Sequence, residues 1–367
     1  MSVALLVVGL LLFVGLVVVH EFGHFLVARR NGVEVEEFGI GFPPKAWSKK
    51  TKEGFIFSLN WLPIGGFVRL KGESDSATAK GTLGAASTWA KAKIMLAGVF
   101  MNLVVAFGIL TVLAFLGMPK LLDNQLTIKS DTKIVRSEVL AGHVEPGSPA
   151  DKAGIKARDK LVSIKAGTDI YTLSSPDRLP EVTEKFEGKP VTIMYERDGK
   201  IRTAAAKLLT GKEAKGKGRL GIVPTEFTIT RSTWSSPILA AGLIGQFTFE
   251  TFKGLGTAIA AVFQGDGSKA ASQVSGPVGI VVILKEGSIL GYQFILMIIA
   301  LISLTLAIMN VLPIPALDGG RLFMMLLSRA FGKRLSEEME ERIVGASFIF
   351  LLFLIVLITV VDVKRFF

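Results

Sequence analysis

The opening stretch of the chain constrains it more than any other. From Val3 to Ala28 the residues are almost all aliphatic or aromatic, and the only ionisable interruption is His20-Glu21-Phe22-Gly23-His24. A run of this length spans a bilayer as a helix, and ionisable side chains at that depth are costly and usually functional. On a helix, H-E-x-x-H puts both imidazoles on one face, one turn apart. They can share a zinc ion while the intervening Glu acts on a water molecule. The bland alternative is a pair of surface or packing histidines. The chain has only 3 histidines, however, and two of them fall in this pentad.

Hydrophobic residues make up 50% of the chain and charged residues 20%, with a mean hydropathy of +0.51. Membrane and aqueous parts therefore alternate. Four segments are long and apolar enough to cross: Val3–Ala28, Ile94–Leu116, about Leu290–Leu312 and Ile343–Val361. The first does not read as a cleaved signal peptide, because its basic residues, Arg29 and Arg30, follow the apolar run instead of preceding it. The absence of cysteine excludes disulfides and thiolate chemistry. The net charge of +11 points to topology and anionic lipid, with no nucleic-acid partner expected.

Lysines and arginines crowd the loop between the first two spans. The positive-inside rule places that loop in the cytoplasm and the N-terminus outside, although Lys364 and Arg365 then fall on the outer side. The expected organisation is an α-helical polytopic membrane protein with about four transmembrane helices. A membrane-associated β-hairpin and one extracytoplasmic α+β PDZ-like domain complete it. The boundaries fall at 1–31 for the first span with the pentad, 32–93 for a cytoplasmic-side hairpin and loop, and 94–118 for the second span. The soluble domain takes 119–226, an interfacial amphipathic helix and linker 227–288, the third span 289–330, and a cytoplasmic loop with the fourth span 331–367.

In the 32–93 segment, Val33–Phe42 and Phe55–Leu59 are β-prone runs separated by Pro43, Pro44 and a basic turn, which predicts a hairpin. Trp47 and Trp61 favour a membrane interface. Phe57, Ser58, Leu59, Gly65 and Gly66 are candidates for a strand edge that pairs with an extended peptide. In the soluble part, Thr127–Val135, Ala141–Val144, Leu161–Ile164, Val191–Tyr195 and Thr203–Leu208 read as strands, and Asp151–Ala153 and Asp177–Lys185 as helices. Pro237–Phe263 carries Gln246, Glu250 and Lys253 mid-length, so it reads as an interfacial helix, with a fifth span as the alternative.

Two imidazoles leave a zinc site one protein ligand short. Asp318 is the candidate, in Asn310-Val311-Leu312-Pro313-Ile314-Pro315-Ala316-Leu317-Asp318-Gly319-Gly320, where two prolines break the third span. The plain alternative is an Asp-Gly turn at the bilayer surface. At about 1.5 Å per residue, His20 lies near the end of the first span. The third span runs in the same direction with Asp318 after it, so both groups approach one side of the membrane. His143 reads as a surface residue, having no clustered partner.

Taken together these motifs resemble the site-2 protease family of intramembrane zinc metalloproteases. They are most similar to its bacterial branch, which carries a PDZ domain and cuts anti-sigma factors. His20, Glu21 and His24 match H-E-x-x-H, and Leu317-Asp318-Gly319 matches the family's L-D-G, with Asn310 and Pro315 in the leading stretch. Gly98–Asn102 resembles its G-x-x-x-N pattern. Phe38–Phe42 and Leu62–Phe67 resemble its membrane-dipping β-hairpin, Val144–Ile155 its PDZ signature, and Ser275–Ile280 a motif preceding the third helix. Ala157-Arg158-Asp159 departs from the usual Pro-Gly-Asp, and only one PDZ-like stretch is present.

The resemblance implies Zn2+ held by His20, His24 and Asp318, with Glu21 as general base. It implies that Asn310 and Asn102 contact substrate, although backbone satisfaction near Pro313 serves Asn310 as well, and helix packing serves Asn102. The implied substrates are transmembrane helices cut after a first extracytoplasmic cleavage, either anti-sigma factors or signal-peptide remnants. The PDZ-like domain would bind a substrate carboxyl terminus. The implied location is a bacterial inner membrane. Two other readings share some of these features: a membrane-anchored zinc peptidase for aqueous or misfolded membrane substrates, and a non-catalytic PDZ scaffold or transporter.

Overall fold

The computed structural model describes residues 2–214, 218–332 and 335–366; position 1 of the expected 1–31 segment, 215–217 of 119–226, and 333–334 and 367 of 331–367 lie outside these. The chain divides into two compact units. One is Met1–Phe115 with Trp234–Phe367, and the other is Leu116–Thr233.

In the first unit, α1 (Ser2–Arg30) carries the pentad. It ends in a Schellman turn: Val33 N–H reaches Ala28 O, Gly32 N–H reaches Arg29 O, and Gly32 takes a φ of +75° that costs a glycine little. The chain therefore reverses about two turns after His24 and enters β1 (Val35–Lys50), followed by β2 (Ile56–Leu70).

These strands do not form the simple expected hairpin. Residues 35–40 stand opposite 66–70, and residues 37–40 also stand opposite 56–59, with Gly39 between Phe67 and Ser58. Beyond Pro43 and Pro44 the chain turns back, so that Lys45–Lys50 pairs with 56–60. Phe57, Ser58 and Leu59 thus lie on an inner strand with neighbours on both sides, and the outer strand next to α1 is 66–70. The candidate edge at Phe57–Leu59 is accordingly corrected to 66–70. The reason is electrostatic as well as geometric. Buried Glu37 accepts a hydrogen bond from Ser58 Oγ at 2.7 Å and pairs with Lys45 Nζ at 2.8 Å, with Arg69 at 3.7 Å. A carboxylate that must collect partners from three neighbouring segments draws them around itself.

After the sheet, α2 (Thr88–Leu116) begins six residues before the expected Ile94. Lys91 is no barrier, because its ammonium is 1% exposed and paired with the Asp75 carboxylate. α6 (Ser236–Phe263), α7 (Gly267–Ser272), α8 (Pro277–Leu290), α9 (Tyr292–Val311), α10 (Asp318–Ala330) and α11 (Glu337–Phe366) complete the unit. Four helices are long and apolar enough to cross a membrane: Val3–Arg30, Thr88–Leu116, Tyr292–Val311 and Glu337–Phe366. α6 is continuous over 28 residues but is not one of these four, consistent with Gln246, Glu250 and Lys253 in its middle. α11 starts earlier than the expected Ile343, because Glu337, Glu338 and Glu340 suit the positive end of a helix.

Two apolar clusters hold the bundle. Leu16 of α1 packs with Leu284 of α8 and Ile295, Ile298 and Ile299 of α9. Nearer the pentad, Ala28, Val33, Leu70, Ile94 and Met95 pack together with Leu322 of α10 against them. This second cluster joins α1, α2, α10 and the 66–70 strand, which contribute to the site described below.

In the second unit, seven strands form one sheet. They are β3 (Met118–Pro119), β4 (Lys133–Val144), β5 (Lys160–Ala166), β6 (Asp169–Thr172), β7 (Pro190–Arg197), β8 (Lys200–Lys207) and β9 (Ile222–Arg231), in the order β3-β9-β4-β5-β7-β8 with β6 on β5. α3 (Pro149–Lys152), α4 (Arg178–Lys185) and α5 (Gly211–Ala214) are short. Alternating inward residues such as Leu161, Ile164, Val191 and Ile193 build its core with Leu179 and Val182 of α4. The strand expected from Thr127 starts only at Lys133, and β9 carries the unit past the expected boundary at 226.

Candidate metal centre

His20 Nε2 lies 3.1 Å from Asp318 Oδ2, His24 Nε2 lies 3.3 Å from the same oxygen, and the two Nε2 atoms are 3.2 Å apart. Both histidines are buried, and Asp318 is half-buried. The three side chains, Asp318 about 300 residues from the histidine pair in sequence, are the one His/Cys/Asp/Glu group among the described residues with metal-ligand geometry.

The donor set can be tested against an ion. Tetrahedral ligands at zinc–nitrogen distances of about 2.0–2.1 Å stand roughly 3.3 Å from one another. The observed triangle matches this. Asp318 Oδ2 is buried and has no hydrogen-bond donor, which is what a ligand oxygen needs. Two imidazoles, one carboxylate and one further position make a catalytic zinc set. The residues fit.

Asp318 reaches this point because the end of α9 and the start of α10 press together. A Cβ on Gly319 would fall 2.1 Å from Val311 O, and one on Gly320 would fall 1.9 Å from Ile314 O. Only glycine permits that approach. Leu312–Leu317 makes the turn, with Pro313 and Pro315 keeping it out of the helix.

The histidines are held from the other side by α2. His24 Nδ1 donates to Ile94 O at 2.8 Å, and Asn102, fully buried, places its side-chain amide 3.2 Å from His20 Nδ1. Between them, Gly98 lets both rings lie on the helix, since a Cβ there would meet His24 Nε2 at 2.5 Å and His20 Nε2 at 2.6 Å. Gly23 permits the same closeness from the α1 side, 2.6 Å from Ala97 O. The carbonyl of Ile94 and the missing side chain of Gly98 leave no chemical signature in sequence; only the G-x-x-x-N spacing pointed to this face.

Glu21 accepts a hydrogen bond from Val68 N–H at 3.1 Å, and its Cγ lies 3.4 Å from where a Gly66 Cβ would stand. The outer strand 66–70 therefore runs directly beside Glu21. Gly65 and Gly66 lie at this strand, whereas Phe57, Ser58 and Leu59 do not. Asn310 is half-buried near the end of α9.

The chain matches the family model described as Peptidase family M50 over residues 8–354. A protein of Fusobacterium nucleatum that bears a zinc metalloprotease name is 32% identical over 367 residues, covering 100% of this chain and 98% of that protein. A Clostridium perfringens protein with a zinc metalloprotease name is 31% identical, with 98% of each covered. An Enterococcus faecalis protein with a protease name, eep, is 27% identical over 96% of this chain and 97% of its own length.

Proposed function

The chain belongs to peptidase family M50 and is a membrane zinc metalloendopeptidase, and on that premise we propose that it cuts single-span proteins within the bilayer. The observation that carries this reading is the meeting of three donor atoms, two from within the apolar α1 and one from the first residue of α10, with a carboxylate set beside an outer strand.

His20, His24 and Asp318 would hold the zinc, which supplies the Lewis acidity that makes water a nucleophile near neutral pH. Glu21 takes the proton from the attacking water and returns it to the leaving amide nitrogen. A substrate helix hides its carbonyls in its own hydrogen bonds, so it must unwind first. Unwound backbone in lipid needs new partners, and strand 66–70, with Gly65 and Gly66 at its start, supplies them by strand addition. Asn310, half-buried near the end of α9, would steady substrate backbone near the turn that carries Asp318.

Regulated cleavage after an extracytoplasmic first cut, with anti-sigma factors or signal-peptide remnants as substrates, follows from the resemblance of the motifs. The seven-stranded unit serves as the PDZ-like filter that binds a substrate carboxyl terminus or excludes long ectodomains. The basic first loop argues for a cytoplasmic active site in an inner membrane.

The test is to co-express the chain with candidate single-span proteins and compare it with Glu21→Gln. The wild type should release fragments cut within the span, and the variant should retain zinc and accumulate bound, uncut substrate. Release of the same fragments by Glu21→Gln removes Glu21 from the chemistry and defeats the proposal.

A further inference from the structure

Ile94, Gly98 and Asn102 follow one another at four-residue intervals, so they share one stripe of α2. Each meets the histidine pair differently. Ile94 offers a carbonyl, Gly98 offers space, and Asn102 offers an amide.

The Ile94 contact decides the tautomer of His24. A carbonyl oxygen can only accept, so His24 Nδ1 carries the hydrogen and Nε2 keeps its lone pair. That nitrogen is the one facing Asp318 Oδ2. His20 needs the same outcome, since its Nε2 is the third member of the donor triangle, and a nitrogen bearing hydrogen cannot ligate. The decision for His20 lies with Asn102, the side chain at its Nδ1.

A carboxamide has a donating and an accepting end of nearly equal size, and either can face the ring. With Nδ2 towards His20, the Nδ1 atom must hold a lone pair and the hydrogen moves to Nε2, into the triangle. With Oδ1 towards it, Nδ1–H is donated to the amide and Nε2 is bare. With Oδ1 at the far end, that oxygen finds no donor, so nothing there holds the amide with Nδ2 towards the ring. The ring decides.

We propose that Asn102 is a positioning residue: its Oδ1 accepts a hydrogen bond from His20 Nδ1–H and thereby reserves Nε2 for the metal. This replaces the expectation that Asn102 contacts substrate. Its surroundings suit the role. It is 0% exposed, and its own backbone carbonyl accepts a hydrogen bond from Ser303 Oγ of α9 at 2.8 Å, which ties this turn of α2 to α9. Outer partners of this kind orient ligand imidazoles, and losing one typically lowers metal affinity 10–100-fold.

The proposal rests on reading His20, His24 and Asp318 as the zinc site, and the tests separate the two claims. The full chain has only 3 histidines, so selective 15N-histidine labelling of the metal-stripped protein in micelles resolves each ring, with His143→Gln and His24→Gln assigning the signals. His20 should carry its hydrogen on Nδ1, as His24 does. Hydrogen on His20 Nε2 overturns the proposal without needing any Asn102 variant.

Zinc affinity by chelator competition is the second readout. Asn102→Leu, similar in size but without an acceptor, should bind zinc about 10–100-fold more weakly than wild type. Asn102→Asp, which can only accept, should bind at or above the wild-type level. Equal affinity in Asn102→Leu, or an Asn102→Asp as weak as Asn102→Leu, reduces the residue to packing and overturns the proposal. A wild-type chain that binds no zinc would instead defeat the metal-site reading.

Discussion

Replacing Gly98 by alanine adds one methyl group where the two candidate metal-binding nitrogens already press on the helix. The new Cβ would stand 2.5 Å from His24 Nε2 and 2.6 Å from His20 Nε2, whereas ordinary contact begins near 3.4 Å. The rings must therefore retreat by about 0.9 Å, several times the ~0.2 Å tolerance of a zinc–ligand bond. Moving α2 away instead breaks the Ile94 and Asn102 contacts to the same rings. Zinc affinity should fall at least about 100-fold, or roughly 2.8 kcal/mol. The helix itself should not suffer, because Gly→Ala favours helix by up to about 1 kcal/mol. Gly108→Ala is the control on the same helix, with nothing within 4 Å of its Cβ. Chelator competition and thermal unfolding of the purified proteins measure both effects. Wild-type zinc affinity in Gly98→Ala would refute the reasoning.

Asp362 of α11 is 1% exposed and accepts hydrogen bonds from Gly276 N–H at 2.9 Å and Gly279 N–H at 2.7 Å. Asp362→Leu leaves both donors unpaired and should lower stability in micelles by about 2–4 kcal/mol, with Asp362→Asn milder in the same melting experiment. Arg158 holds a φ of +74°, a left-handed conformation that favours glycine; Arg158→Gly should stabilise the Leu116–Thr233 unit by about 1 kcal/mol, read from its unfolding midpoint. For Glu37, burial raises the carboxyl's pKa, but hydrogen bonds from Lys45 and Ser58 outweigh it and hold the group below its ordinary 4.5. A depressed carboxylate stabilises above its unfolded pKa, and that stability is lost as pH falls through the folded value. Protection of the 35–70 sheet against proteolysis should thus be constant from neutrality to about pH 5 and fall below about pH 4.5, while Glu37→Gln should show no such step.

The candidate metal centre was legible because charge is conspicuous in apolar sequence: His20, Glu21, His24 and Asp318 interrupt or follow spans that contain almost nothing else polar. The frame behind the imidazoles was not legible. It is made of a backbone carbonyl at Ile94 and of absent side chains at Gly23 and Gly98, and a sequence displays neither as chemistry. The strand order failed for a different reason. Two β-prone runs around a turn predict two strands, and local pattern does not reveal that each run doubles over at Pro43–Pro44 and at 60–62 to make an inner strand of Phe57–Leu59. The seven-stranded unit was read from alternation at β5, β7 and β8. β9 was missed because Pro224 interrupts its β-prone run, whereas the strand runs through it beside β4.

The Asp362 clasp also bears on how the chain is made. α8 emerges from the ribosome with its leading amides unanswered, and the carboxylate that answers them follows 86 residues later. At typical synthesis rates of about 5–20 residues per second, that is a delay of roughly 4–17 s. For that interval α8 is a short apolar helix with an exposed polar end, a poor resident of lipid and a good target for quality-control factors. Insertion of α11 closes the account, so the final span completes a helix translated long before it.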